Sequence, residues 1–337
     1  MNTMRNGRRV IQSGLRRTLS IWRKAGIALA TLAASAACVA QTHAEFHRDL
    51  PVSNTEPLVL SVEIRHGDVE IVYNRDGQVS ISAVGQVAGD SRLDDNFFPA
   101  TLSIEQAGNH VSLRQISNAA YSEEKIKVHL RIDVPYRTEI NSTVGEGKQT
   151  IRGVLGPVQA RADKGDIKAS YVSKTLHAAT GKGNVELQMI GEHVDANVVS
   201  GNISGERLPK GITSETRDGD ITLMVVGPST ATIEKGSGRI DVEGARGSLE
   251  LSTDAGDLHV VAVPHDGWKL NSESGTIRLD LPPVVNVALN ASTDSGKLQF
   301  ERDDILNAGN RMRKVDEHPN SEKRIDAHTR SGSIVIR

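Results

Sequence analysis

The chain has 337 residues, of which only 3% are aromatic and 31 are glycine, and its formal net charge is −2. This composition excludes a wide globular core and suits a narrow interior filled by aliphatic side chains and threonine. The charge balance excludes a typical nucleic-acid binder, which carries clustered Lys and Arg.

Residues 1–44 have the layout of a secretory signal. A basic region from Arg5 to Lys24 precedes an uncharged apolar run over residues 25–40. At about 16 residues, this run is shorter than the roughly 20 that span a bilayer. Residues 42–44 (Thr-His-Ala) suit a signal peptidase, so we expect cleavage after Ala44 and export. Without the seven basic residues of the signal, 33 basic and 42 acidic residues remain, a net charge of −9.

Two features of the signal have more than one interpretation. Arg16-Arg17 followed by Thr18-Leu19 matches a loose twin-arginine export pattern, although basic pairs also occur in ordinary signals. Residues 35–38 resemble a bacterial lipobox, which would lipidate Cys38 and attach the protein to a membrane. If Cys38 leaves with the signal instead, the exported chain has no cysteine, and therefore neither disulfides nor thiol chemistry.

Residues 45–140 are expected to form an N-terminal β cap and the first strands. Residues 58–64 alternate apolar and polar side chains, and Gly67-Asp68-Val69 follows as an isolated copy of a motif that recurs later. Residues 126–134 alternate again and end at Pro135. A cap here would cover the first full coil, whose open end would otherwise expose unpaired backbone.

Residues 141–300 contain a repeat of about 18 residues. Each copy has a corner of glycine, a small or polar residue and an aliphatic residue, flanked by two stretches with the period-two alternation of half-buried strands. The spacing predicts an all-β fold, a parallel β-solenoid whose coils pair with the coils above and below. The chirality rule for parallel crossovers favours a right-handed β-helix. The predicted corners are Gly165, Gly183, Gly201, Gly219, Gly238, Gly256, Gly275, Gly296 and Gly332.

Two residue types are explained by this coil. A sharp corner needs a positive φ, which disfavours any residue with a Cβ and so explains the glycine. Three residues earlier stands a hydroxyl residue with the inward parity of its apolar neighbours. We expect these hydroxyls to form a buried ladder, each bonding a neighbouring hydroxyl or carbonyl. Its members are Thr180, Thr216, Thr253, Ser272, Thr293 and Thr329.

Residues 301–323 interrupt the repeat with charged residues and little periodicity. We interpret them as an inserted loop or short helix that folds over the last coil. Residues 324–337 return to the repeat pattern and are predicted to form the terminal solenoid coil.

The sequence lacks the motifs of zinc proteases, α/β hydrolases and phosphate-binding loops, so we predict no catalytic, metal-binding or cofactor-binding residues and no cofactor. The strongest alternative is a column of acids, Asp166, Asp220 and Asp257, because stacked carboxylates bind calcium and cleave sugars in some β-helical enzymes. Asp beside a corner glycine is, however, ordinary turn chemistry. Lys164 and Lys182, on adjacent coils, suit either an anionic sugar or lipid, or a solvated face.

The order of these features resembles the bacterial putative-adhesin family of β-strand-repeat proteins, a domain of unknown function related in style to autotransporter adhesin head domains. The resemblance rests on residues 64–71, the strand ending Asp133-Val134-Pro135, the serial Gly-Asp-Ile corners and residues 329–334. It implies a solenoid fold and an envelope location, and it transfers no catalytic residues. The charged insert after Phe300 departs from the family pattern.

We therefore expect a non-enzymatic, adhesin-like binding module, periplasmic or attached to the envelope, that meets a protein, a glycan or another surface ligand. One alternative is a structural or signalling scaffold in an envelope-stress response. Another is a polysaccharide-active β-helix enzyme. Adjacent acids with a basic residue in a groove would favour the enzyme, whereas a smooth polar face would favour binding.

Overall fold

Alternating buried and exposed side chains determine where the strands of this protein form. In the segment from Val158 to Lys164, Val158, Ala160 and Ala162 are buried, whereas Arg161 is exposed. This alternation is the side-chain period of a strand with one face against a core. The fold is taken from a computed structural model, which describes residues 43–53, 55–87, 93, 95–117, 126–283, 287–301, 314–317 and 323–337.

The described residues form one short helix, α1 (Phe97–Thr101), and a long series of strands. In chain order the strands are β1 (His43–Pro51), β2 (Leu58–His66), β3 (Val69–Tyr73), β4 (Gln78–Val87), β5 (Leu102–Ala107), β6 (His110–Gln115), β7 (Ile126–Val134), β8 (Thr138–Glu146), β9 (Gln149–Arg152), β10 (Val158–Lys164), β11 (Ile167–Val172), β12 (Leu176–Lys182), β13 (Val185–Ile190), β14 (Val194–Ser200), β15 (Ile203–Leu208), β16 (Ile212–Asp218), β17 (Ile221–Val226), β18 (Ser229–Ile233), β19 (Ile240–Glu243), β20 (Leu249–Thr253), β21 (Leu258–Val261), β22 (Trp268–Ser272), β23 (Ile277–Asp280), β24 (Ala288–Thr293), β25 (Leu298–Phe300), β26 (Lys314–Glu317), β27 (Arg324–Thr329) and β28 (Ile334–Ile336).

Within the described ranges these strands form two sheets of fourteen strands each. Sheet A has the order β1-β4-β7-β3-β9-β11-β13-β15-β17-β19-β21-β23-β28-β25, and sheet B has the order β26-β24-β27-β22-β20-β18-β16-β14-β12-β10-β8-β2-β6-β5. From β8 to β23 the chain alternates between the sheets, so each coil gives one strand to each. The strands of this stretch pair in parallel. Partners such as Val158 and Leu176, or Ile167 and Val185, are 18 residues apart.

The core is the narrow space between the two sheets. Inward aliphatic side chains from both sheets fill it, and the largest fully buried side chain in the described residues is Trp268 on β22. The Trp268 indole Nε1 donates to the Gly247 carbonyl oxygen at 3.2 Å, so its polar atom is satisfied inside the core. Because one coil contributes only a thin slice of apolar surface, stacking on neighbouring coils is what buries it.

Antiparallel strands cover the N-terminal end of the parallel stack. In sheet A, β4 pairs antiparallel with β7 and β1, and in sheet B, β5 pairs antiparallel with β6. Helix α1 buries Phe97 and Phe98, and the rings of Phe46 and Phe98 lie 5.5 Å apart between centroids. A Cβ on Gly85 of β4 would lie 2.0 Å from the Phe97 ring. Gly85 therefore makes the space that this aromatic cluster occupies.

The coil that comes last in sequence is not last in space. Strand β27 lies between β22 and β24, and β28 lies between β23 and β25. Residues 324–337 therefore form the penultimate coil, and residues 288–300 form the outermost one, which corrects the predicted terminal position. Residues 324–337 can lie between the other two coils because paired positions in all three coils carry the same kinds of residue. Trp268, Ile325 and Leu289, for example, share one inward column.

The charged segment 301–323 contains a strand where the sequence predicts a loop or short helix. Its described part, β26, pairs antiparallel with β24 and forms one edge of sheet B. This extended conformation follows from the backbone edge that β24, the last parallel strand of sheet B, offers to the returning chain. Residues 302–313 and 318–322 lie outside the described residues.

Residues 1–42 of the predicted signal, which include Arg16-Arg17 and Cys38, also lie outside the described residues, which begin at His43. His43 and Ala44 already belong to β1, so cleavage after Ala44 would remove the first two residues of that strand. Across the described ranges, no helix is long and apolar enough to cross a bilayer.

Candidate functional site

The nine predicted corner glycines stack in one column along the solenoid. A Cβ on Gly183 would lie 2.2 Å from the carbonyl oxygen of Gly165, and the same contact between Gly256 and Gly238 would be 1.6 Å. Stacked backbones thus approach too closely for any side chain. The sequence predicts that every corner needs glycine because its φ is positive. This reason is wrong from Gly238 onward, where φ is not positive and close backbone approach alone requires glycine. The corners whose φ, between 141° and 148°, lies in the left-handed region are Gly165, Gly183, Gly201 and Gly219.

The column continues through the reordered C-terminal coils. Gly332 stacks on Gly275, with a Cβ contact that would be 1.8 Å, and Gly296 stacks on Gly332, at 1.6 Å. The corner glycines therefore follow the coil order in space and not the order in the sequence.

The hydroxyl ladder lies buried beside the glycine column. Thr180 Oγ1 donates to the Gly165 carbonyl oxygen at 2.9 Å, and in another coil Ser272 Oγ donates to that of Gly256 at 3.1 Å. Ser272 Oγ also accepts the N–H of Gly275, its own corner, at 2.8 Å. The buried ladder is confirmed, and its acceptors are carbonyl oxygens of the neighbouring coil, which leaves these buried hydroxyls satisfied.

The acids and amides after the corner glycines bind backbone. Asp166 Oδ1 accepts the N–H of Asn184 at 2.8 Å, and Asn184 Oδ1 accepts that of Asn202 at 3.0 Å. Asp220 and Asp257 each accept an N–H of the next coil at 2.7 Å. The three candidate acids are therefore not brought together, and among the described residues no group of three or more His, Cys, Asp or Glu side chains could hold a metal ion.

Lys164 and Lys182 lie side by side on β10 and β12. Lys164 Nζ donates to the Glu146 carboxylate of the preceding coil, and this hydrogen bond raises the pKa of Lys164 and lowers that of Glu146. All three side chains are exposed, so solvent and salt screen the pair. The two lysines belong to a solvated face.

The outer face of sheet B carries a groove, which we call the sheet-B groove. Its floor consists of Ala179 and Gly181 on β12 and Asn197 on β14, and its volume is about 480 Å³. Gly181 accepts no side chain, because a Cβ would lie 2.6 Å from the Asp163 carbonyl oxygen. The small floor residues lower the surface between larger neighbours, and the volume falls in the range of small-ligand sites.

Charged side chains form the walls of the sheet-B groove. Arg161 and Asp163 lie on β10, Glu215 and Arg217 lie on β16, and Glu234 follows β18. A hydrogen bond from the neighbouring Glu234 carboxyl, together with partial burial, raises the pKa of Glu215. No ion pair joins Arg161 or Arg217 to a carboxylate within the described part of the chain. Sequence reasoning missed this groove, whose only signal is two small residues at outward positions.

A second column, near the ends of sheet-A strands, carries strained backbone. Its members recur every 18 residues with φ between 54° and 57°, a conformation that costs a residue with a Cβ about 1–2 kcal/mol. Each member bulges out of the strand ladder, and sequence reasoning missed the column because its members share no chemical type. They are Tyr171, Met189, Arg207 and Val225.

Comparison with known proteins gives a family and distant structural likenesses. A family model described as Toastrack DUF4097 matches residues 58–337. No curated protein matches the chain. A crystal structure of a putative adhesin from Bacteroides fragilis has 14% identity and a TM-score of 0.42, covering 65% of this chain and 97% of that one.

Two further crystal structures are more distant still. A putative cell adhesion protein from Clostridium sporogenes has 12% identity and a TM-score of 0.28, covering 87% of this chain and 98% of that one. A putative lipid binding protein from Parabacteroides distasonis has 13% identity and a TM-score of 0.35, covering 87% and 96%. Likenesses this distant carry no argument about a ligand. The family match extends over both sheets and confirms the resemblance to β-strand-repeat proteins of unknown function, so this chain belongs to the Toastrack DUF4097 family.

Proposed function

We propose that this protein is a non-enzymatic binding module of the bacterial envelope and that the sheet-B groove holds its ligand. The observation that carries the proposal is the groove itself, about 480 Å³ of space over Ala179 and Gly181 between charged walls. On sheet A, by contrast, the outward side chains of Lys168 and Glu186 are paired with each other, and their charged atoms lie 2.6 Å apart. The predicted signal at residues 1–44 supports export, and therefore the envelope as the site of action.

The openness of the groove favours binding over catalysis. Glu215 and Glu234 are exposed, and a solvated carboxyl pair lacks the water-excluded setting in which an acid and a base act most strongly. Stacked coils fix the backbone positions of the wall residues before a ligand arrives, which lowers the entropic cost of binding. We also propose that the solenoid has coils of about 18 residues, which the register of β10 on β12 supports. We propose that these coils wind right-handed, which the chirality rule for parallel crossovers supports.

A variant that fills the groove tests the proposal. We expect the purified protein to co-sediment with isolated peptidoglycan or outer-membrane fragments and to release no soluble product. Ala179→Tyr should remove this binding, because the new ring occupies the floor of the groove. Thr222→Tyr, at an exposed position of sheet A, is the matched control and should bind normally. Equal binding by Ala179→Tyr and the unmodified protein, with both folded by circular dichroism, would contradict the proposal.

One observation favours a second candidate function, a polysaccharide-active enzyme. The groove holds two carboxyl groups, those of Glu215 and Glu234, and glycoside cleavage uses a pair of carboxyl groups. The raised pKa of Glu215 suits a general acid. If the protein releases reducing ends from a polysaccharide and Glu215→Gln does not, the binding module must be replaced by an enzyme.

A further inference from the structure

The chemistry of the sheet-B groove indicates which class of ligand it takes. We propose that the groove binds a short segment of an uncharged oligosaccharide, whose hydroxyl groups contact Arg161, Asn197 and Arg217. This inference rests on the proposed binding function and names its ligand class.

The dimensions of the groove suit a chain of linked sugar rings. It extends from β10 across β12, β14 and β16 to Glu234, which follows β18, and four strand spacings of about 4.8 Å give a length of about 19 Å. Val199, which is 45% exposed, lies in the lining and offers an apolar contact for the C–H face of a ring. A long, shallow groove of this kind fits several linked rings better than a single compact metabolite.

The charges of the groove nearly cancel. Arg161 and Arg217 are opposed by the carboxyl groups of Asp163, Glu215 and Glu234, so the positive and negative formal charges differ by one. Asn197 and Val199, the residues that face Glu215 and Arg217 from β14, carry no charge. The groove therefore lacks the excess of one sign that attracts a charged polymer.

The polar groups of the groove can satisfy the hydrogen bonds of sugar hydroxyl groups. A hydroxyl both donates and accepts, and the walls supply guanidinium donors, carboxylate acceptors and, in Asn197, an amide that does both. The guanidinium N–H groups of Arg161 and Arg217 are available for a ligand, since no ion pair within the described residues engages them.

A peptide fits this groove less well. Strands β12, β14 and β16 are each paired on both sides, so the floor offers no edge to which a peptide strand could be added. Val199 is the one large apolar side chain in the lining that is exposed, so the groove has no apolar pockets for anchoring side chains.

Calorimetric titration of the purified protein tests the ligand class. The probes are short oligomers of glucose, of N-acetylglucosamine and of galacturonic acid, each at low and at high salt. We expect at least one uncharged oligomer to bind with an affinity that salt does not change, because salt screens only charge–charge attraction. Arg217→Gln should weaken this binding about tenfold or more and Asn197→Ala about fivefold. Arg152→Gln, which removes an exposed arginine of sheet A, is the control and should have no effect.

The outcomes separate this inference from the proposed function. Binding of the galacturonate oligomer alone, weakened by salt, would overturn the inference, as would failure of both uncharged oligomers. If neither uncharged oligomer binds but Ala179→Tyr still removes co-sedimentation with envelope fragments, the inference fails and the proposed function stands. If Ala179→Tyr changes neither kind of binding, both fail.

Discussion

Gly256 lies directly against Gly238 in the corner column, and a Cβ on Gly256 would be 1.6 Å from the Gly238 carbonyl oxygen. The φ of Gly256 lies outside the left-handed region, so its backbone conformation would tolerate alanine. Only the contact between stacked coils excludes a side chain there. To admit one, the two backbones would have to move apart, at the expense of the parallel pairing between β19 and β21.

We predict that Gly256→Ala lowers the free energy of unfolding by about 3 kcal/mol, the upper part of the range for overpacking a rigid interior. Gly267→Ala is the matched control, because the nearest atom to its Cβ, the Arg324 carbonyl oxygen, would lie at 3.8 Å. The control should change stability by less than about 0.5 kcal/mol. Urea denaturation measures both variants, and equal losses would remove close backbone approach as the reason for glycine.

The hydroxyl column, which repeats one residue type, could be predicted from sequence, and the positive-φ column, whose members share no residue type, could not. Thr180 and Thr216 repeat the same hydroxyl at the same place in the coil, so their inward position follows from parity alone. Tyr171 and Val225 share neither size nor polarity, yet both have a positive φ. Each bulge stacks on the bulge of the neighbouring coil, so pairing between strands, and not the preference of the residue, sets the conformation.

At the level of the strands, β27 and β28 occupy a slot between coils that are neighbours in sequence. Asn271 of β22 and Ser292 of β24 are both register partners of His328. A serial stack would pair Asn271 with Ser292 directly. The sequence cannot distinguish these two coil orders. Ser272 and Thr293 would suit either arrangement, and the hydrophobic pattern fixes the register of a strand but not which coil lies beside it.

Engineered cysteine pairs can establish the order of the coils. In a Cys38→Ala background, which has no other cysteine, we predict that Asn271→Cys with His328→Cys forms a disulfide on mild oxidation. Strands about 4.8 Å apart fall in the Cα range of disulfides. Asn271→Cys with Ser292→Cys should stay reduced, because β27 separates the two positions. Mass spectrometry under non-reducing conditions reads both results, and a bond only in the second pair would mean that the coils stack serially.

At the scale of the whole molecule, the repeat explains the placement of most residues. The candidate site lies where the outward residues differ from one coil to the next. The solenoid class follows from the period and the corner glycines. The sheet-B groove does not follow from them, because it depends on the sizes of Ala179 and Gly181 relative to Arg161 and Arg217, and a repeat constrains outward positions only weakly. Three-dimensional stacking is what places these residues together.

Hydroxyl-radical footprinting with the uncharged oligomer of glucose or N-acetylglucosamine locates a bound ligand on the molecule most directly. Val199 in the sheet-B groove is 45% exposed, while Tyr171 and Met224, on sheet-A strands, are 53% and 41% exposed, so all three should react in the free protein. We predict that the ligand protects Val199 and leaves the oxidation of Tyr171 and Met224 unchanged. Protection of Tyr171 and Met224, with Val199 still reactive, would place the ligand on the other sheet and contradict the assignment of the groove.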